Sequence, residues 1–297
     1  MSRTVSVSSS KPYGVARVAA VWELPRSSFY AALDRERNPR QARKRGPKVH
    51  CDAELLDAIR AVLDEAVFTG EGYRKVWARL RFQGMRTSKE RVNRLMRENQ
   101  LLSPCRQPSP VLCRPHEGVI VTSEPDQMWG TDATATVTAA EGSVTVFAAI
   151  DHCTAECVGI HAVKKASRFE ALEPVRQGVR VRFGGFFKDI AAGLQLRHDH
   201  GSVYMSDNFQ KEIRFLGIES SPAFVRQPEG NGCIERFFRT LKEQLLWVRH
   251  FRNLDELHAA LIEFQDRYNH HWIVGRLGYR TPDQARRDFE LALPTAA

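Results

Sequence analysis

The chain has 297 residues, 42% of them hydrophobic, with a net charge of +9 and six cysteines. That length allows one large domain with one or two small ones, and its longest apolar stretches, such as Val144 to Ile150, fall far short of the roughly 20 residues of a membrane span. The polar start Met1 to Lys11 lacks a signal-peptide core and the cysteines are scattered, so a cytoplasmic protein with reduced thiols and no membrane partner is expected.

The charge is unevenly divided. Residues 1–115 carry 23 Lys and Arg against 11 acids, whereas residues 116–297 carry 21 against 24. A basic front half on a slightly acidic back half suggests phosphate binding in the first and chemistry in the second.

Tyr13 to Leu33 reads as two short helices around the turn Leu24-Pro25-Arg26-Ser27-Ser28, and Arg35 to Lys48 as a basic linker. Together, residues 1–48 form the expected N-terminal helical segment and linker. Helical periodicity resumes from Asp52 with Leu55, Leu56, Ile59, Val62 and Leu63, then over Tyr73 to Phe82 and Ser88 to Asn99. Residues 49–103 are therefore expected to be a small all-α helix-turn-helix DNA-binding domain. On its last helix Lys89, Arg91, Arg94 and Arg97 form the polar set for phosphates, opposite Val92, Leu95 and Met96. Prolines without periodicity mark residues 104–125 as a linker.

Met128 to Thr138, Val144 to Asp151 and Cys157 to Val163 predict three meandering strands. A helix from about Ser167 to Phe183 follows, then a strand Leu194 to His198, a helix near Asp207 to Leu216, one from Gly232 onward and one over Leu254 to Tyr268. The fold class is α/β: a ribonuclease H-like mixed sheet over 126–285, with 286–297 as a tail.

Asp132 lies inside an apolar strand, where a charge is costly without a partner. Asp199 stands just past the fourth strand, and Glu235 in the first turn of a helix that Asn231 can cap. Glu235, Arg239 and Lys242 share one face of that helix. Three carboxylates supply the hard oxygen ligands that Mg²⁺ requires, and two such ions about 3.5 to 4 Å apart can drive in-line phosphoryl transfer.

Trp129-Gly130-Thr131-Asp132, Asp199 with 35 residues between it and Glu235, Asn231 before that Glu and Lys242 after it resemble the core of DDE transposases and retroviral-type integrases. Gly232 to Lys242, Tyr268-Asn269 and Leu277 to Pro282 are similar to the second-frame (OrfB) transposases of bacterial insertion sequences of family three. Glu71 to Val76 and Arg91 to Met96 resemble the helix-turn-helix segment ahead of such cores. The resemblance implies metal-dependent cleavage and strand transfer at inverted-repeat ends, integrating the element into target DNA. Asp132, Asp199 and Glu235 would be catalytic residues and ligands of two Mg²⁺ ions, with Mn²⁺ able to substitute. Lys242, Arg239 and Asn231 would meet double-stranded DNA. It further implies a homo-multimer on paired ends, an upstream-frame product or fusion as a partner, and a nucleoid-associated place in a bacterial cytoplasm.

His198 and His200 are read as packing or exposed histidines, with ligand orientation or DNA contact as the alternative. A zinc site at His152, Cys153, Cys157 and His161 is discounted, because hairpin alternation splits them between faces. Of the five tryptophans only Trp129 is a candidate for DNA contact.

Overall fold

The computed structural model describes residues 4–37, 50–104, 122–223 and 231–292, in two compact units, 1–49 and 50–297. In the first, α1 (Gly14–Val21) and α2 (Arg26–Arg37) flank the expected turn. Ala19 is the only buried residue of the two helices, so this pair has almost no core of its own. The basic linker beyond Arg37 lies outside the described residues.

The second unit opens with three helices, α3 (Asp52–Asp64), α4 (Tyr73–Phe82) and α5 (Lys89–Glu98). Two of them, α3 and α5, start where a side chain satisfies orphan helix amides. Cys51 and Glu54 exchange side-chain and backbone hydrogen bonds at α3, and the Ser88 hydroxyl accepts from Arg91 N at α5. Leu55, Ile59 and Val62 meet Val76, Leu80, Val92, Leu95 and Met96 in a small core.

Five strands follow: β1 (Met128–Thr138), β2 (Gly142–Asp151), β3 (Cys157–Val163), β4 (Gln195–His198) and β5 (Glu219–Pro222). They lie in the order β3-β2-β1-β4-β5, with β1 to β3 antiparallel and β4 and β5 joining parallel to β1. This is the ribonuclease H-like mixed sheet expected from the sequence. The edge strand β5 was not foreseen.

Alternation along β2 divides the core in two. Val144, Val146, Ala148 and Ile150 pack under α8 (Gly232–Leu241) and α9 (Leu254–His271). Phe147 and Ala149 pack, with Trp129 and Leu196, under α6 (Arg168–Phe183) and α7 (Asp207–Phe215). Gly178 lets α6 close over Trp129, since a Cβ there would stand 2.7 Å from the indole ring.

The three-helix module is seated on this core. Phe68 enters the α9 side and meets the rings of Phe264 and Trp272 edge-on. Arg267 donates to Val67 O, and the Gln244 amide both donates to and accepts from Thr69.

Helix α10 (Pro282–Ala292) runs through the expected start of the tail at residue 286. Thr281 and Gln284 form a reciprocal cap around Pro282 at its first turn. Its Arg286 is buried, donating to Glu156 and to both oxygens of Asp126. Asp126 also accepts from Trp129 Nε1, and Arg182 pairs with Glu156. The network fixes the start of β1 and the β2–β3 turn.

Replacing Arg286 by Met would leave the largely covered Asp126 without its ion-pair partner and Glu156 with Arg182 alone. The expected loss is about 3–5 kcal/mol in a urea titration, and a loss below about 1 kcal/mol would place the network among dispensable surface pairs.

Candidate active site

Register brings the first two acids together. Gly130 pairs with Arg197 in the parallel β1–β4 ladder, and Asp132 and Asp199 each lie two residues further on. Asp132 pairs with Ala148, a residue of the core beneath α8, so its side chain points to that face of the sheet. Asp132 Oδ1 accepts from Ala133 N at 2.7 Å, and Asp199 Oδ1 accepts from Gly201 N at 2.8 Å.

Helix α8 brings the third. Ile234, Phe237, Phe238 and Leu241 are buried, and this apolar stripe turns Glu235 and Arg239 outward. From Lys242 to Leu246 the helix widens into one π-helical turn, an irregularity often found at functional sites. Lys242 stands there, half-buried.

The charges of the site act on one another. Burial pushes the Asp132 carboxyl up to about 6, and the Asp199 and Glu235 carboxylates add to the effect, against the Ala133 amide and the Lys242 ammonium. Burial also raises the Tyr204 phenol, with the charges of Asp132 and Asp199 contributing. Three oxygen donors that repel one another around a half-desolvated carboxylate fit a divalent cation by their chemistry. Among the described residues, no three acidic, His or Cys side chains are already gathered at ion-holding distance.

Several expected contact residues have other employment. Asn231 does not cap α8: it is 6% exposed, and its Nδ2 reaches Thr131 O at 3.4 Å. It is thus turned to β1. Arg91 grips Asp52 and the His50 carbonyl, and Arg94 bridges Asp52 and Glu98. These two arginines hold the start of α3, and with them hold the Asp52 carboxyl down at about 2. Lys89 lies over the Trp77 ring. Arg97 is exposed and has no ion pair among the described residues. Trp129 is fully buried, which removes it as a DNA contact. His198 is buried too, bonded to Asp199 O and Ser220 Oγ, while His200 is exposed. His161 pairs with Glu170, and Cys157 is buried in the sheet core.

Two residues near the acids have a place that the sequence reading did not give them: His152 was weighed only as a zinc ligand, and Arg276 was not singled out. His152, in the turn after β2, approaches the bare face of Gly130 together with Asn231. Arg276, after α9, donates to the carbonyls of His152 and Cys153 and contacts Cys233 Sγ on α8. Neither lies in a periodic pattern. The only signal was the unusual pairing of a small residue at Gly130 with an apolar strand.

Residues 50–109 match the HTH-like domain model, and residues 216–282 match the Integrase core domain model. The chain is 29% identical over 286 residues to the transposase InsD for insertion element IS2A/D/F/H/I/K of Escherichia coli, covering 94% of this chain and 92% of that one. Among solved structures, it is similar to the simian T-cell lymphotropic virus intasome in complex with PP2A regulatory subunit B56 gamma. There the TM-score is 0.48 at 16% identity, over 83% of this chain and 76% of that one. The HTLV-2 integrase catalytic core domain in complex with magnesium aligns with a TM-score of 0.41 at 17% identity, over 55% of this chain and 98% of that one. No described helix is long and apolar enough to cross a membrane.

The raised Asp132 value gives a pH test. Ionisation of a carboxyl whose folded value lies above the ordinary 3.8 costs stability; the cost is absent below about pH 4 and complete above about pH 6. In chelator, Asp132→Asn should melt above the parent at about pH 8, with the gap closing towards about pH 4. A gap that is absent at the higher pH, or that widens on acidification, would contradict a carboxyl raised by burial with added repulsion from its acidic neighbours.

Proposed function

We propose, from the premise that this chain is a homologue of insertion-element transposases with an HTH-like domain and an integrase core, that Asp132, Asp199 and Glu235 are its DDE centre. The chain is a DDE-type DNA transposase, a polynucleotidyl transferase. The observation that supports the residue assignment is the convergence of β1, the end of β4 and the first turn of α8 on one face, with the charges of Asp199 and Glu235 felt at Asp132.

Divalent metal dependence follows from the integrase core. We assign two Mg²⁺ ions, replaceable by Mn²⁺, to the oxygens of the three carboxylates. When bound, the metal supplies charge neutralisation and an activated oxygen nucleophile for in-line attack on a phosphodiester. The protein's own residues do the rest. Burial of Asp132 keeps its proton affinity high until a cation arrives. Arg239 and Lys242, on the Glu235 face of the helix, meet the terminal phosphates. The amides of Ala133 and Gly201 fix the aspartate rotamers.

Residues 49–103 recognise the ends of the element, with Arg97 as a phosphate contact. Residues 104–125 link this module to the core at 126–285, extended by the helix that reaches Ala292. The partners are double-stranded DNA of the terminal inverted repeats and target, further copies of the chain on paired ends, and an upstream-frame product or fusion. The proposed setting is the nucleoid in a bacterial cytoplasm.

Labelled DNA ends of the flanking element, Mg²⁺ and purified protein test the centre. The parent should nick and join, while Glu235→Gln should bind the ends yet lose at least about a hundredfold in both steps, matching the several kcal/mol a catalytic metal contributes. Undiminished joining by Glu235→Gln would remove the residue from the centre.

For the binding module, Arg97→Ala should weaken end binding and reduce the slope of log affinity against log salt by about 1. An unchanged slope would take Arg97 off the phosphate backbone.

A further inference from the structure

Two buried polar atoms beside Gly130, His152 Nε2 and Asn231 Oδ1, have no hydrogen-bond partner among the described residues. Their side chains come from different segments, the turn after β2 and the residue ahead of α8, and are only 7% and 6% exposed. They close on one place nonetheless. A Cβ at Gly130 would lie 2.7 Å from Nε2 and 3.0 Å from Oδ1.

Polar atoms left unpaired in a dry interior are costly, and each of these has what the other lacks. An amide oxygen accepts, and a neutral imidazole donates from whichever nitrogen carries the hydrogen. Burial, helped by the charges of Arg276 and Arg197, holds the His152 value down at about 4, so the ring is neutral at physiological pH. Both supports are anchored. Arg276 ties the His152 turn to Cys233 in the first turn of α8. Asn231 Nδ2 reaches Thr131 O at 3.4 Å, near the limit of a hydrogen bond.

The geometry points to His152 as a positioning residue for the catalytic helix: its Nε2–H donates to Asn231 Oδ1 across the bare face of Gly130, seating α8 on β1 and bringing Glu235 up to Asp132 and Asp199. The inference rests on the assignment of those three acids to the metal centre. A small inward movement of α8 satisfies both orphan atoms and tightens the Asn231 bond to Thr131. It also carries Glu235, four residues along from Asn231, towards acids that do not yet stand at ion-holding distance. His152 acts through Asn231, with no role in the chemistry itself.

Calorimetric titration of the full chain on its end DNA with Mn²⁺ tests this, with Glu235→Gln as the blank that defines the site. His152→Leu keeps a side chain of similar bulk but cannot donate, and His152→Gln restores an N–H donor. His152→Leu should bind Mn²⁺ about tenfold more weakly, the order seen when a residue behind a metal ligand is lost. Its melting temperature without metal and its affinity for ends should stay at the parent level, and His152→Gln should recover most of the Mn²⁺ affinity.

Parent-like Mn²⁺ affinity in His152→Leu, or equal weakness in both variants, would overturn the latch. If His152→Leu does not fold, His152→Gln against Asn231→Ala decides: the latch requires near-parent affinity in the first and weakened affinity in the second, and any other pattern overturns it. A parent indistinguishable from the Glu235→Gln blank would overturn the carboxylate centre itself, and the latch with it.

Discussion

Gly130 has no side chain, and the space this leaves on β1 is shared by His152 from the β2–β3 turn and Asn231 from the approach to α8. Any larger residue would crowd both side chains. Because Asp132 lies two residues further along the same face of β1, the seating of α8 at Gly130 sets how near Glu235 comes to it. The parallel pairing of β1 with β4 sets the approach of Asp199 in the same way. A small residue and a strand register therefore control the spacing of three acids that repel one another, in surroundings dry enough to raise the proton affinity of Asp132.

The supports of this arrangement lie far along the chain. Arg276 and Arg286, both beyond α9, hold the turn that carries His152, one through backbone carbonyls and the other through Glu156. Burying Arg286 with Asp126 and Glu156 is costly unless every partner is present, which makes the C-terminal helix part of the core. The three-helix module is bound in as well. Phe68 fills the α9 side of the sheet, and Gln244, in the π-turn that Lys242 begins, is bonded to Thr69. Movement of the module on DNA would therefore be felt in the helix that carries Glu235.

The elements legible in the sequence were those with strong periodicity: α3 to α5, the β1 to β3 meander, and α6 to α9. Strand β5 was not, because Glu219-Ser220-Ser221-Pro222 is short and polar and gains its structure only by pairing with β4. Helix α10 was missed although Thr281-Pro282-Asp283-Gln284 carries a capping-box pattern with proline in the first turn. The strand, strand-end and helix-start positions of Asp132, Asp199 and Glu235 were legible in the linear pattern. The partners of charged side chains could not. Arg91 and Arg94 read as a phosphate-binding face, yet Asp52, some forty residues earlier, claims both. Asn231 has the chemistry of a cap, but a tertiary contact with β1 outcompetes the local bond.

The carboxylate centre is tested most directly by anomalous diffraction from crystals of the chain with its end DNA and Mn²⁺. Peaks ringed by oxygens of Asp132, Asp199 and Glu235 at about 2.1 to 2.2 Å, with α8 drawn onto Gly130, are the expected result. Mn²⁺ bound at other acids, with Glu235 turned away from the site, would contradict it.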